Sequence, residues 1–405
     1  MATYSRRQAL GMAGGAAFVA ATAASVTSVT SASAEPLPGQ SEPPGQSDEF
    51  RAYACRQDIH PQDPDYPGVH VASLVKAPNG DLLYSFYAGS REGADDVKTY
   101  MSRLRVGSKE WQAPRVVFDE PNKPDGNAVL WADGDTTYLF FSTIRGGGWT
   151  DADLRLIRSA DSGYTWSQPE WVRHEWGWLF GTRPFRMSNG EVIVPIYSEN
   201  RWAAGWYIPA DDYSTWIPYP SADDAEWPRS PNGAIQPATV ELDPGHLLAY
   251  LRTRDGLIYR TESFDYGRTW TPALPTSLPN NNARVALLKL DSGKLLLAYN
   301  PLTAGRHVLR LALSSDNAQT WGPGVNVEAA EPGTEFSYPY LLQTGDGMVQ
   351  LGYTHRRETM RHLVFNEAFV SAGEDLPSDP SYSVWEYRHG ELDKVSKSHY
   401  VNTPR

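Results

Sequence analysis

A repeat recurring about every fifty residues constrains this chain more than any other feature. Three stretches read Ser-x-Asp-x-Gly-x-Thr-Trp or nearly so: Ser159 to Trp166, Ser263 to Trp270, and Ser314 to Trp321, the last with Ala318 in the glycine place. A worn copy carries Asp211, Thr215 and Trp216 in register, and a fainter echo ends at Trp111. Successive tryptophans at 111, 166, 216, 270 and 321 are 55, 50, 54 and 51 residues apart. A fixed period in this range marks one supersecondary unit copied in an array. A second marker keeps the same period. A turn glycine follows a mostly apolar run at Gly80, Gly134, Gly190, Gly245, Gly293 and Gly347. Within the second unit, residues 127–131, 136–143, 153–159 and 166–172 read as four strands separated by turn residues. Four antiparallel strands per unit, repeated radially, make a propeller blade. The expected fold is all-β: a six-bladed β-propeller of four-stranded antiparallel blades.

The remaining chain organises around that array. Arg6-Arg7 followed by a small-residue apolar run and Ala32-Ser33-Ala34 reads as a twin-arginine signal peptide over residues 1–34. Residues 35–49 have the Pro, Gly, Gln and Ser content of a linker. The propeller is expected over 50–372, with a C-terminal extension over 373–405 that loses the period. Ring closure falls either to that extension or to residues 50–57 pairing with the last blade. These features predict a secreted, monomeric protein that leaves the membrane after signal cleavage. Cys55 is the only cysteine, so no internal disulfide forms. A net charge of −12 argues against nucleic acid, which favours a basic footprint. No His or Cys cluster has metal-ligand spacing, and no cofactor is expected.

In a propeller the innermost strands line a central channel, and the residues entering them converge on one mouth. Seven to ten positions before the turn glycines lie His70, Asn127, Arg183, Gln236, Arg284 and Tyr338, polar in every unit. Loops after the second strands add Asp95, Asp96, Glu199, Arg252, Arg306, His355 and Arg356 around the same mouth. An acidic chain that gathers Arg183, Arg252, Arg284, Arg306 and Arg356 about one cavity points to a carboxylate, which guanidinium binds in a bidentate fork. The expected partner is therefore a glycan bearing a sugar acid.

The boxes are Asp-boxes, the bacterial neuraminidase repeat, and with six blades the chain resembles the sialidase superfamily over nearly its whole mature length. The boxes themselves read as turn scaffolds, not as site residues. The resemblance implies an arginine clamp, a tyrosine nucleophile paired with a glutamate, and an aspartate acid/base. Tyr338, in Phe336-Ser337-Tyr338-Pro339, matches the nucleophile; Asp95 or Asp96 matches the acid/base; Arg252, Arg284 and Arg306 match the clamp. The chain departs from that pattern where His70 stands for the first arginine and Gln236 for the glutamate, which leaves Glu199 as the candidate substitute carboxylate. Three readings follow: an exo-glycosidase of sialidase type, a lyase acting on uronate glycans through His70 and Tyr338, and a glycan-binding propeller without catalysis.

Overall fold

The structure, a computed structural model, describes residues 52–377 apart from 174, 222–226 and 346, together with the backbone of Tyr382–Arg388 and Glu391–Val395. The expected signal segment and linker lie outside the described residues. Six antiparallel sheets follow one another along the chain. Blade 1 is Gly68–Lys76, Leu82–Gly89, Lys98–Leu104 and Arg115–Phe118. Blade 2 is Asp125–Asp133, Thr136–Thr143, Leu154–Ser159 and Glu170–Arg173. Blade 3 has a broken inner strand, Trp178–Phe180 and Phe185–Arg186, before Val192–Ser198, Ala203–Pro209 and Trp216–Tyr219. Blade 4 runs from Ala234–Asp243 to Leu274–Pro279 and blade 5 from Ala286–Lys289 to Val325–Ala329. Blade 6 opens with Phe336–Gln343, Val349–His355 and Thr359–Phe365.

The second strands are buried on both faces, so they read as continuous apolar runs and not as alternations. Their side chains join neighbouring blades: Val129 and Phe140 of blade 2 pack in one cluster with Phe86 of blade 1 and Phe180 of blade 3. The fourth strand of blade 2 begins at Glu170, later than the expected 166, because the box still holds Trp166 in its turn. There Asp161 Oδ1 accepts from the Thr165 amide at 2.8 Å and Oδ2 from the Thr165 hydroxyl at 2.6 Å, while Ser159 Oγ accepts from the Gly163 amide at 2.7 Å. The same bonds recur around Asp265 and Asp316. The boxes are turn scaffolds, as the sequence implies.

The N-terminal strand closes the ring. Tyr53–Asp58 pairs with Thr359–Phe365 as the fourth strand of blade 6, in register from Ala54 opposite Phe365 to Asp58 opposite Arg361. Tyr382–Arg388 then pairs with the free edge of Tyr53–Asp58, and Glu391–Val395 extends the sheet further. A buried ion network fixes the closure. Arg56, fully out of solvent, lies 3.2 Å from Glu328 of blade 5 and donates to the Val327 carbonyl at 2.8 Å. Arg361 of blade 6 pairs with the same Glu328 at 2.8 Å and with Asp58 at 2.7 Å.

Four inner strands carry a β-bulge at their entrance, between His70 and Ser73, Gly126 and Val129, Ile235 and Ala238, and Ser337 and Tyr340. In each, the first extra residue is left-handed: Val71 at φ 65°, Asn127 at 49°, Gln236 at 54° and Tyr338 at 55°. This conformation costs a non-glycine residue of order 1–2 kcal/mol and persists because sheet on both sides imposes it. Its effect is to re-aim one side chain per bulge. The blade-1 equivalent of Tyr338 is thus Val71, and His70 stands one residue earlier. Arg183 lies between the two inner-strand pieces of blade 3, and Arg284 lies just ahead of Ala286–Lys289; neither is in a bulge.

Candidate active site

Tyr338 is the centre of the mouth. Its hydroxyl accepts from Arg252 Nη1 at 2.6 Å, and its ring lies 4.1 Å from the His70 ring, centroid to centroid. The guanidinium carbons of Arg252, Arg284 and Arg306 stand 5.8, 5.2 and 5.3 Å from the Tyr338 ring centre. A cleft of about 400 Å³ opens beside it, lined among others by His70, Tyr87, Glu92, Arg356 and Arg357.

The arginines divide by their partners. Arg284 is 1% exposed and donates to the carbonyls of Gly181, Ala72 and Tyr338 at 2.6, 2.8 and 2.8 Å. It is a strut beneath the tyrosine, and burial pushes it down to about 10. Arg306 donates to Glu335 at 2.8 Å and to the Asn282 carbonyl at 3.0 Å. Arg357, beside Arg356 on the last blade's loop, donates to Glu335 at 2.8 Å, to Glu92 at 2.6 Å and to His70 Nε2 at 3.3 Å. Its neighbour Arg356 lines the outer cleft. Arg252 donates to Asn282 Oδ1 at 2.8 Å and Gln236 Oε1 at 3.1 Å besides Tyr338. Like Arg284 it forms no ion pair among the described residues, but Arg284 is buried on three carbonyls while Arg252 is half-buried beside the Tyr338 hydroxyl, so its charge is open to an incoming anion.

The sequence-predicted acids are less central. Asp96 spends both carboxylate oxygens on Ser90, at 3.1 Å to its amide and 2.9 Å to its hydroxyl, and so staples its own loop. Asp95 is exposed on that loop. Glu199 accepts from the Trp202 indole at 3.1 Å; burial raises it above the usual carboxylate range against the pull of Arg252. Asn127 and Gln236 both donate to the Tyr197 hydroxyl, at 2.8 and 3.3 Å, and burial keeps that phenol protonated. The His355 ring lies tilted against Phe336 at 5.1 Å; burial first, and then the charges of Arg361, Arg356 and Arg56, push it down to about 3. Glu335 is an acid of this cluster that no motif in the sequence marks. Burial opposes its charge, but the Arg357 hydrogen bond and the fields of Arg306 and Arg357 outweigh burial and lower it.

The protonation of His70 follows from its partners. Arg357 can only donate, so Nε2 is the acceptor and the proton sits on Nδ1, 2.8 Å from Thr354 Oγ1. Burial first, and then four arginines, hold the imidazole neutral well below its ordinary range. The unfolded chain binds a proton near pH 6.5 and the folded site does not. The resulting stability is complete above 6.5 and is lost as pH falls below it. Each such histidine is expected to remove about 1.4 kcal/mol per pH unit below 6.5. His60 is also lowered by burial and adds to the slope. Chemical denaturation between pH 7.5 and 5 is expected to show that loss, and His70→Gln to flatten it by about one proton.

Among the described residues no group of three or more His, Cys, Asp or Glu is placed to hold a metal ion. The site is therefore a tyrosine, a neutral histidine and converging guanidiniums, able to fix a carboxylate and to move protons beside it.

The family model described as a BNR repeat-like domain matches residues 80–351. A sialidase of Bacteroides fragilis is 25% identical over 76% of this chain and 63% of its own length, so the chain spans less than two thirds of that relative. Among solved structures, a Hadza microbial sialidase superposes with a TM-score of 0.66 at 20% identity, over 77% of this chain and 68% of that one. The intramolecular trans-sialidase of Ruminococcus gnavus does so at 0.63 and 16%, over 78% and 98%. Both structural likenesses bear on the fold. With the match spanning most of the propeller, and with Asp-boxes at the expected turns, the chain belongs to the BNR repeat-like family and has the six-bladed fold of the sialidases.

Proposed function

We propose that this chain is an exported carbohydrate-active enzyme of sialidase type that acts on a terminal acidic sugar. The observation that carries the reading is Arg252, a guanidinium without an ion pair, hydrogen-bonded to the Tyr338 hydroxyl at the centre of the mouth. A sugar carboxylate on Arg252, with Arg306 beside it, sets the anomeric carbon over Tyr338. Tyr338 then attacks the anomeric carbon as its phenolic proton passes to solvent, the leaving oxygen takes a proton from Asp95 or Glu199, and water, giving its proton back to that carboxylate, displaces the tyrosine to release the sugar. Burial raises Glu199 from its ordinary value, a shift in the direction that favours proton donation.

A second reading is favoured by one specific observation. No carboxylate among the described residues is hydrogen-bonded to the Tyr338 hydroxyl, while the neutral His70 ring is 4.1 Å from the tyrosine ring. That pair suits β-elimination on a uronate: His70 removes the proton α to a carboxylate neutralised by Arg252, and Tyr338 protonates the departing oxygen. One experiment separates the two. Sialosides and uronate-containing glycans are incubated with the enzyme, and products are read by mass and by ultraviolet absorbance. The proposal predicts a released acidic sugar containing the elements of water and no new absorbance. An unsaturated product would establish the lyase instead, and no product from any acidic glycan would overturn both.

A further inference from the structure

Beneath the mouth, on the inner strands, lies a second and much smaller cavity of about 10 Å³. That is room for one water-sized occupant. Its polar lining comes from Thr182, Arg183, Thr239, Arg284 and Tyr340, with no carboxylate among the lining residues. The uncharged members are already engaged. Thr182 donates to the Pro237 carbonyl at 2.6 Å, Thr239 accepts from the Trp206 indole at 2.9 Å, and Tyr340 donates to the Leu130 carbonyl at 3.5 Å.

The two arginines are not fully engaged. The Nε atoms of both Arg183 and Arg284 are out of solvent and without a hydrogen-bond acceptor. Arg284 binds three carbonyls through its terminal nitrogens, but carbonyls carry only partial charge. Among the described residues no hydrogen bond or ion pair engages Arg183, which is half-buried; its guanidinium stands over the Phe185 ring, at 5.8 Å. Arg284 is buried and Arg183 half-buried, and both line one small cavity with no carboxylate in it; the buried Arg284 charge and the two unpartnered Nε–H groups are costly, because desolvated charge and desolvated donors need partners.

We propose that this cavity is a binding site for a small monovalent anion of halide size, held between Arg183 and Arg284. The anion accepts from the two free Nε–H groups and balances charge that no side chain there balances. It is separate from the cleft, with which it shares no lining residue, and Arg284 hydrogen-bonds Tyr338 through the backbone carbonyl and not the hydroxyl. Its consequence reaches that site nonetheless. Arg284 holds the left-handed Tyr338 turn in place, so an occupied cavity steadies the residue on which the chemistry turns. The proposal is independent of whether the enzyme hydrolyses or eliminates.

Two measurements test it. Crystals grown in sodium bromide are expected to show one anomalous peak within hydrogen-bonding distance of both Nε atoms; a water there, or no peak, overturns the proposal. Thermal unfolding is then followed at matched ionic strength in sodium chloride, bromide and gluconate. Raising halide from about 1 mM to 0.3 M is expected to raise Tm by about 2–4 °C, with no such rise in gluconate, which is too large for the cavity. Arg183→Met is expected to remove the halide dependence. Equal responses in all three salts, or an undiminished halide response in Arg183→Met, would contradict the assignment. If that variant does not fold, the bromide peak in the wild-type protein still decides.

Discussion

Tyr338→Phe is expected to lower kcat by at least about 10³-fold with little change in KM. The phenol oxygen is the only part removed, and both chemistries put it in the bond-making step, as nucleophile or as proton donor. The ring remains packed against His70 and among the arginines, and Arg252 keeps Gln236 and Asn282, so the fold should lose no more than about 1–2 kcal/mol. A companion change sharpens the interpretation. Gln236 and the Tyr338 hydroxyl share the same Arg252 nitrogen, at 3.1 and 2.6 Å. Gln236→Glu therefore sets a carboxylate beside the tyrosine and supplies the base that a nucleophilic tyrosine lacks here. A faster release of acidic sugar in that variant supports the glycosidase; a slower one, through a new charge facing the substrate carboxylate, supports elimination. Steady-state kinetics on the substrate found in the product assay reads both. Retention of more than a tenth of kcat in Tyr338→Phe would remove the tyrosine from the chemistry.

The largest expected loss of stability is at the ring closure. Glu328 is 3% exposed and accepts from Arg361 at 2.8 Å and from the Tyr353 hydroxyl at 2.6 Å, with Arg56 at 3.2 Å. Glu328→Ala leaves those two guanidiniums buried with one carboxylate fewer. Breaking a buried pair from one side costs about 3–5 kcal/mol, because the remaining charge is stranded. Arg361 keeps Asp58, so the loss falls hardest on Arg56 and on the N-terminal strand that carries it. Tyr353→Phe, which removes only one bond to the carboxylate, is expected to cost about 1–2 kcal/mol. Denaturant midpoints measure the difference, and a Glu328→Ala loss under about 1 kcal/mol would show that strand pairing alone closes the ring.

Much of this architecture is written plainly in the chain, and for a local reason. Each Asp-box is a self-contained turn whose Ser, Asp and Thr bond within a few residues, so its pattern survives copying. The turn glycines are legible because all six adopt positive φ, from 54° at Gly134 to 90° at Gly190. The polar entrance residues were readable as a set because inner strands of a propeller must converge. Their individual roles were not. Arg284 and Tyr338 occupy similar places in their units, yet one is a strut bonded to three carbonyls and the other sets its hydroxyl on Arg252 and its ring against His70; the difference is a bulge present in blade 6 and absent in blade 5. The sequence places Arg356 and Arg357 together on one loop and does not rank them: both are left-handed, at φ 58° and 61°, and that local winding decides which guanidinium reaches His70. Glu335 had a weak signal, an acid three residues before Tyr338, but its function depends on two arginines distant in sequence.

The central claim is that Arg252 reads a carboxylate beside Tyr338. Its most direct test is a calorimetric titration of the Tyr338→Phe protein with the acidic sugar identified in the product assay and with the same sugar carrying a reduced carboxyl group. A charge-assisted fork predicts about 10–100-fold tighter binding of the acid, a preference that disappears in the Tyr338→Phe, Arg252→Ala double variant. Equal affinity for the acid and its neutral twin would contradict the account.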